Sequence, residues 1–366
     1  MTFSLAEILE FAVKNGASDI HLKVGNHPHF RVDGSMVPVK GTPKLTPEFI
    51  TKLALEILSE RQKAKFRETL ELDLSYGIQG VGRFRINIFQ QRENIGMVCR
   101  VIPSRIKSLE DLLLPKVIER IALEQRGMVL VTGATGSGKS TTVAAMLEFV
   151  NAQRPCHIVT IEDPVEFLLS DKQGIINQRE VGVDTKSFAS ALRASLRQDP
   201  DVIFIGELRD LETIETAILA AETGHLLIST THTVDAKETI NRLVTAFPPF
   251  QQPYIRLQFA SLIRGIISQR LIPRADGKGR VAATEILVNT GHIRELLADE
   301  TRVGEIPVAL AKGHSTYGTQ TFDQSIMLLY QHNMITYEEA LAQCSNPDDF
   351  ALKISGINAS DDSWLE

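Results

Sequence analysis

The chain of 366 residues is long enough for two or three domains, and its 43% hydrophobic and 23% charged residues are typical of a globular, water-soluble protein. The formal net charge of −6 argues against a nucleic-acid partner, because phosphate backbones are bound by clustered Lys and Arg side chains. Three cysteines without paired spacing, no signal peptide and no apolar stretch long enough to span a bilayer predict a cytoplasmic protein that carries no zinc.

The first hundred residues predict a small α+β domain. The capping box at Ser4–Glu7 and the pair Thr46-Pro47 each precede apolar residues at helical spacing, which indicates two helices. Alternating polar and apolar residues predict strands, two of them joined by a hairpin turn at Asp33-Gly34. The predicted strands cover 19–24, 29–32, 35–39, 82–89 and 95–101. We assign 1–101 to this domain and the proline-flanked stretch 102–115 to an interdomain linker.

From residue 116 onward, short and wholly apolar segments alternate with longer helical ones. The apolar segments are 128–132, 157–161, 202–206 and 226–230. Strands that are apolar on both faces and separated by helices imply a parallel sheet covered on both sides, so the expected fold class is α/β. We place this domain at 116–288. A mainly helical C-terminal region is expected at 289–366, with a frayed tail at 356–366.

A phosphate-binding loop follows the first of these apolar strands. The sequence VLVTGATGSGKST at 129–141 fits the pattern Gly-x-x-x-x-Gly-Lys-Ser, in which backbone N–H groups and a helix N-terminus bind polyphosphate. Lys139 is expected to contact the β- and γ-phosphates, and the hydroxyl of Ser140 is expected to ligate Mg²⁺. The predicted nucleotide-binding residues are Gly133, Ala134, Thr135, Gly136, Ser137, Gly138, Lys139, Ser140 and Thr141.

Acidic residues follow the next two apolar strands, at the sheet edge where ligands bind in α/β proteins. Glu162, Asp163 and Glu166 come after one strand, and Glu207 comes after the other. Hydrolysis of a phosphoanhydride needs one carboxylate to orient water and another near the metal. Glu207 occupies the Walker B position, and we expect it to act on Mg²⁺ through a water. The residues alone leave open whether Glu162 or Glu166 orients the attacking water.

Two histidines and three arginines are further candidates. His232 follows the last apolar strand among threonines, where it would sense a γ-phosphate or the metal; His225 precedes the same strand and is a weaker candidate. Arg83 and Arg85 share the polar face of an N-terminal strand, and Arg100 lies on its partner. These arginines form either a solvated sheet face or a source of positive charge for a γ-phosphate held by a neighbouring subunit. The chain alone does not decide between the two.

Several long strings resemble the secretion ATPase superfamily, and within it the PilT-type retraction ATPases of type IV pili. They include GASDIHL at 16–22, VTGATGSGKST at 131–141, TIEDPVEF at 160–167, LRQDPDVIFIGELRD at 196–210 and STTHT at 229–233. The resemblance implies a PAS-like N-terminal domain, a RecA-like ATPase domain that uses ATP and Mg²⁺, and a homohexamer. It also implies an inner-membrane pilus platform protein as partner, with peripheral attachment to that membrane.

The resemblance assigns roles that the residues alone leave open. Glu166 is implied as the general base, and Glu207 as the Walker B acid. His225 and His232 correspond to the family's His box, and the interfacial arginines fall on the N-terminal strands. These assignments make Arg83, Arg85 and Arg100 candidates for action in trans.

Two absences favour the retraction subfamily. Extension and type II secretion ATPases carry a further N-terminal domain and two zinc-binding CxxC pairs, whereas this chain starts at the PAS-like domain and has no CxxC. The string HIRELL at 292–297 departs from the retraction motif Ala-Ile-Arg-Asn-Leu-Ile at His292, Glu295 and Leu297. An accessory paralogue that works with a principal retraction ATPase is therefore an alternative. Extension or secretion ATPases, a nucleotide-dependent switch and a RecA-like nucleic-acid translocase are more distant alternatives.

Overall fold

The computed structural model describes residues 3–32, 34–102 and 105–355. They form two compact units, one made of the described residues within Met1–Arg105 together with Pro164–Leu168, and the other made of those within Ile106–Asp163 and Leu169–Glu366. Among the described residues, no helix is both long enough and apolar enough to cross a membrane. The predicted turn residue Asp33 and the predicted tail 356–366 lie outside the described residues.

The smaller unit contains a six-stranded antiparallel sheet in the order β3-β2-β1-β6-β5-β4. Its elements are α1 (Leu5–Lys14), β1 (Asp19–Leu22), β2 (His29–Val32), β3 (Ser35–Pro38), α2 (Pro47–Ile57), α3 (Glu60–Thr69), β4 (Glu71–Ile78), β5 (Gly82–Gln91) and β6 (Asn94–Ile102). The apolar residues of β5, Phe84, Ile86 and Ile88, are fully buried in one core cluster. The alternating residues of β5 therefore lie on the opposite face of the sheet.

Local sequence explains where the first helices begin. The Ser4 hydroxyl accepts a hydrogen bond from Glu7 N, and the Glu7 carboxylate accepts one from Ser4 N, which completes the predicted capping box. Thr46 caps α2 through a single bond, in which its hydroxyl accepts from Phe49 N, with Pro47 at the first position of the helix. The strand expected at 19–24 ends at Leu22, because a turn with Gly25 at φ 81° follows it.

The larger unit contains a seven-stranded sheet in the order β13-β12-β7-β11-β10-β8-β9. Its elements up to the last strand are α4 (Val117–Ala122), β7 (Gly127–Thr132), α5 (Lys139–Gln153), β8 (His157–Glu162), β9 (Ile175–Glu180), α6 (Phe188–Ser195), β10 (Val202–Ile205), α7 (Leu211–Glu222), β11 (Leu226–Thr231), α8 (Ala236–Thr245), α9 (Gln252–Leu262), β12 (Ile263–Pro273) and β13 (Arg280–Val288). Helices follow: α10 (Gly291–Ala298), a 3₁₀ turn (Val303–Glu305), α11 (Ile306–Lys312), α12 (His314–Tyr317), α13 (Phe322–Gln331), α14 (Tyr337–Gln343) and α15 (Pro347–Ile354).

The α/β class is confirmed, but the sheet is mixed rather than wholly parallel. The strands β12, β7, β11, β10, β8 and β9 are mutually parallel, whereas β13 pairs antiparallel with β12. The prediction missed β9 and the β12–β13 hairpin. Met128 and Leu130 of β7 belong to one core cluster, and Val129 and Val131 belong to another. Strand β7 is thus covered on both faces, as predicted, and the carboxyl ends of β7, β8, β10 and β11 meet at one edge.

Candidate active site

The predicted phosphate loop connects the end of β7 to the first turn of α5. Gly133, Gly136 and Gly138 have φ values of 141°, 81° and 92°, a region that favours glycine. A Cβ atom on Gly133 would lie 2.4 Å from the carbonyl oxygen of Gln269, and one on Gly138 would lie 2.9 Å from the Gln269 side-chain nitrogen. The loop therefore packs closely against β12: the β12 backbone leaves no room for a side chain at Gly133, and at Gly138 the Gln269 side chain would have to move.

The polar groups of this loop fit a polyphosphate. Lys139 is buried, and its Nζ donates to the carbonyl oxygens of Gly133 at 2.6 Å and Ala134 at 3.0 Å. In the described part of the chain, the buried hydroxyl of Ser137 has no hydrogen-bond partner. A buried polar group without a partner is rare, and a phosphate oxygen would supply the missing acceptor. Ser140 is half-buried in the first turn of α5.

The first acidic cluster is divided between the two compact units. Glu162, the last residue of β8, is buried and accepts hydrogen bonds from Thr160 Oγ1 at 2.7 Å and Gln178 Nε2 at 3.2 Å. Asp163, the next residue after the strand, is exposed. Glu166 is half-buried and lies in the segment Pro164–Leu168, which belongs to the smaller unit. The choice between Glu162 and Glu166 as the general base stays a prediction.

The second acid lies against two basic side chains. Glu207 follows β10 after one intervening residue, Gly206, and its side chain is only 13% exposed. The Glu207 carboxylate is 2.5 Å from Arg209 Nε and 3.5 Å from Nε2 of His232, which follows β11. The strand pattern predicts that Glu207 and His232 share an edge, and the sheet order brings them into contact. Arg209 was missed, although a basic residue only two positions after the predicted acid is a usable signal.

The end of β11 is fixed to the end of β10 by hydroxyl groups. Ser229 Oγ donates to the carbonyl oxygen of Ile205 at 2.7 Å, and Thr230 Oγ1 donates to that of Gly206 at 2.6 Å. These bonds fix the position of the residues that follow β10, including Glu207, relative to those that follow β11.

The two histidines of the predicted His box lie at opposite ends of β11. His225 precedes the strand, and its Nδ1 lies 2.9 Å from the carbonyl oxygen of Ala220 at the end of α7. His232 follows the strand at the edge where the phosphate loop begins. Six residues of extended chain span about 20 Å, so His225 lies far from the site. The structure therefore brings His232, but not His225, to Glu207.

The three predicted arginines lie in the smaller unit, on the sheet face opposite its core. Arg85 and Arg100 are register partners on β5 and β6. Arg100 Nε donates to the carboxylate of Asp19 at 2.9 Å, and Arg85 lies 3.8 Å from Asp73. Burial raises the pKa of Asp19, but hydrogen bonds from Arg100 and Ser18 outweigh it and leave that pKa below its ordinary value. Action of Arg83, Arg85 or Arg100 in trans stays a prediction.

Similarity to known proteins extends over nearly the whole chain. Residues 2–302 match the family described as Type II/IV secretion system protein. The type IV pilus retraction ATPase PilT of Pseudomonas aeruginosa is 43% identical over 346 residues, which are 94% of this chain and 99% of that protein. The type IV pilus ATPase PilU of the same organism is 41% identical over 361 residues, which are 98% of this chain and 93% of that protein.

A solved structure is similar in fold as well as in sequence. The crystal structure of the pilus retraction motor PilT with bound ADP matches with a TM-score of 0.87 and 45% identity, covering 94% of this chain and 98% of that one. These matches confirm the resemblance that the sequence motifs indicate.

Proposed function

The chain belongs to the type II/IV secretion system protein family, and on that premise we propose that it is an ATP-driven motor for the retraction of type IV pili. It is an ATPase, as its close relatives are. The observation that carries the proposal is one sheet edge that combines the Lys139 loop with the contact between Glu207 and His232. Because the chain is similar over nearly its full length to a pilus retraction ATPase, we infer that it uses ATP hydrolysis for pilus retraction.

ATP and Mg²⁺ fit the residues at this edge. Lys139 and the backbone N–H groups of the loop would hold the phosphates, with the buried Ser137 hydroxyl as a further donor. Ser140 and Glu207 would hold the metal, Glu207 through a water, and the metal would supply positive charge to the phosphate oxygens. His232 would transmit the state of this site through its contact with Glu207. A carboxylate of the cluster at 162–166, which we take to be Glu166, would orient the attacking water.

The working assembly in this proposal is a homohexamer. Each chain contributes a PAS-like N-terminal domain, a RecA-like ATPase domain and a C-terminal helical region. The arginines of the N-terminal sheet face would provide charge to the nucleotide site of a neighbouring subunit. The ring would act from the cytoplasmic side on an inner-membrane platform protein, and in cells that contain a paralogous retraction ATPase it would work beside it.

The test is a deletion in the native host, with surface pili counted and surface motility measured in the same cells. Excess pili together with lost twitching is the expected result, because a missing retraction motor leaves assembled filaments extended. Cells without pili would contradict retraction and would assign the motor to extension. Reintroduction of the wild-type gene and of Lys139→Ala separates loss of the protein from loss of its ATPase activity.

An accessory motor is a second candidate, favoured by two observations. The chain is nearly as similar to PilU as to PilT, with 41% and 43% identity. It also departs from the retraction motif in α10, where His292 and Glu295 are exposed while Leu297 is buried. Two of the three departures therefore lie on a surface available to a partner. Unchanged pili and motility after deletion would support the accessory role.

A further inference from the structure

A buried carboxylate outside the predicted site connects the phosphate loop strand to the residues after β11. Glu285 on β13 is 7% exposed and lies among apolar residues of the same strand. Its register partner on β12 is Ser268, whose register partner on β7 is Thr132. Thr132 in turn pairs with Thr231 on β11. The four residues form one polar row across the sheet, immediately below the edge that carries the site.

Hydrogen bonds run along this row toward the carboxylate. Thr132 Oγ1 donates to Ser268 Oγ at 3.0 Å, and Ser268 Oγ donates to Glu285 Oε1 at 3.5 Å. The same carboxylate oxygen accepts a hydrogen bond from the backbone N–H of Ala236 at 2.9 Å. Ala236 is the first residue of α8, and Thr132 is the last residue before the phosphate loop. Glu285 thus connects the start of α8 to the base of the loop.

A second chain of hydroxyls reaches the start of α8 from β11. Thr231 and Thr233 are 2.6 Å apart at their hydroxyl oxygens, Thr233 and Thr239 are 2.7 Å apart, and Thr239 Oγ1 donates to the carbonyl oxygen of Asp235 at 2.6 Å. His232 lies between Thr231, which is held by the hydroxyl chain, and Ala236, which is held by Glu285; only the four residues 232–235 separate these two points. The position of His232 relative to Glu207 therefore depends on how firmly α8 is held.

We propose that Glu285 is a positioning residue for ATP hydrolysis: in its ionised form it holds the start of α8 against the phosphate loop strand and thereby fixes His232 beside Glu207. This inference rests on the proposed function, since it concerns the same site. Hydrogen bonds to an ionised acceptor are about twice as strong as those to a neutral one, so the carboxylate holds Ala236 and Ser268 more firmly than the protonated acid does.

The surroundings of Glu285 place its titration near neutral pH. Burial raises the pKa of Glu285 to about 7; the hydrogen bond from Ala236 N opposes that rise, Asp235 adds to it, and Arg270 opposes it. Asp235 at the start of α8 and Arg270 on β12 are the charged groups that act on it. On β7 the row continues with the uncharged hydroxyl of Thr132, and on α13 the uncharged hydroxyl of Ser325 accepts a hydrogen bond from the backbone N–H of Thr284, next to Glu285. The hydrogen bond from Ala236 N is an interaction that favours the ionised form, so by linkage protonation of the still-buried Glu285 weakens that bond, and acidification through about pH 7 should loosen α8.

The experiment measures kcat and KM for Mg·ATP between about pH 5.5 and about pH 8.5 for wild type and Glu285→Gln. Glu300→Gln, the same chemical change at an exposed residue, is the matched control. We expect kcat of the wild type and the control to fall on acidification through about pH 7. Glu285→Gln should have a kcat about tenfold lower at neutral pH and independent of pH in this range, because small misplacements of catalytic groups are costly. Its KM should stay within about twofold of wild type.

The proposal would be overturned if Glu285→Gln had the kcat of the wild type and lost activity on acidification in the same way as the wild type. If that variant does not fold, Ser268→Ala decides, since it breaks the link to Thr132 without changing charge. A reduced kcat with unchanged ADP affinity in Ser268→Ala is the supporting result, and a wild-type kcat overturns the proposal. Failure of the wild type and of Glu300→Gln to hydrolyse ATP would instead overturn the proposed function itself.

Discussion

Lys139 is the residue whose removal gives the sharpest test of the nucleotide site. It is buried, and its ammonium group donates to two carbonyl oxygens of the loop. We expect Lys139→Ala to reduce phosphate release by the purified protein about a hundredfold or more, because a positive charge is lost where negative charge develops. Lys186→Ala, at an exposed lysine, is the control. Hydrolysis at the wild-type rate in Lys139→Ala would contradict the assignment of the site.

Glu162 and Glu166 can be separated by the same chemical change. Glu162 already accepts hydrogen bonds from Thr160 and Gln178 inside the sheet, so Glu162→Gln should lower the melting temperature as well as the rate. We expect Glu166→Gln to lower kcat about a hundredfold or more while ATP binding is retained. Affinity for a non-hydrolysable ATP analogue and the single-turnover rate provide the two readouts. Weak analogue binding in Glu166→Gln would mean that Glu166 supports structure or metal binding rather than water.

At the scale of residues, the sequence predicts which residues belong to the site better than it predicts which residues they contact. The glycine and lysine pattern of the loop is local, so its form could be predicted from adjacent residues. The contact of Glu207 with His232 joins residues 25 positions apart in the chain, and it required the order of the strands. Glu285 gave no signal, because a single acid in an apolar strand matches no motif until its partners on β12 and α8 are known.

At the scale of elements, the pair β1–β6 links one candidate arginine to stability. Arg100 hydrogen-bonds Asp19, which is buried, whereas the Arg85 and Asp73 side chains are 39% and 49% exposed and lie 3.8 Å apart. We expect Arg100→Gln to reduce the free energy of unfolding by about 1 kcal/mol, a figure kept small because the Arg100 side chain is itself mostly exposed. Arg85→Gln should leave stability unchanged. Chemical denaturation of both variants checks this, and equal stabilities would contradict the role given to Asp19.

The same pair predicts a dependence of stability on pH. The pKa of Asp19 is lowered in the folded chain, so its contribution to stability is complete above the ordinary value of 3.8. This contribution is lost as the pH falls through the lowered pKa. The difference in the free energy of unfolding between wild type and Arg100→Gln should therefore shrink at acidic pH. Denaturation curves at neutral pH and at about pH 3 measure it. A difference of the same size at both pH values would contradict the account.

Most elements with a regular period could be predicted, although β4, in which the buried Leu72 and Leu74 also alternate with polar residues, was missed. The alternation of β5 and the apolar strands β7, β8, β10 and β11 agree with the structure. Helix α3 was missed because Phe66 is the one buried residue of its ten and gives no apolar stripe. The β12–β13 hairpin was missed because its buried stretches mix apolar residues with Ser268, Gln269 and Glu285. Those polar residues are stabilised by contacts with other elements, which no local pattern reveals.

At the scale of the whole molecule, the proposed ring predicts complementation between inactive variants. If the N-terminal arginines act on a neighbour's nucleotide, Arg85→Gln and Glu166→Gln each remove one side of a shared interface. An equal mixture should then form about one intact interface in four, in which the arginine and the acid come from different chains. We expect ATPase activity to reappear on mixing dissociated subunits. If activity stays at the level of the separate variants, Arg85 acts on the nucleotide of its own chain or has only a structural role.

The division of the chain into units also bears on how such a protein can diverge. The smaller unit consists of Met1–Arg105 and the five residues Pro164–Leu168, so it is discontinuous in sequence. A single genetic crossover near residue 105 would join an N-terminal module from one ancestor to a short segment inherited from another. Glu166 lies in that segment, so it would be inherited apart from the rest of its unit. Successful recombinants should therefore exchange both pieces together, and chimeric motors should be designed with two crossovers rather than one.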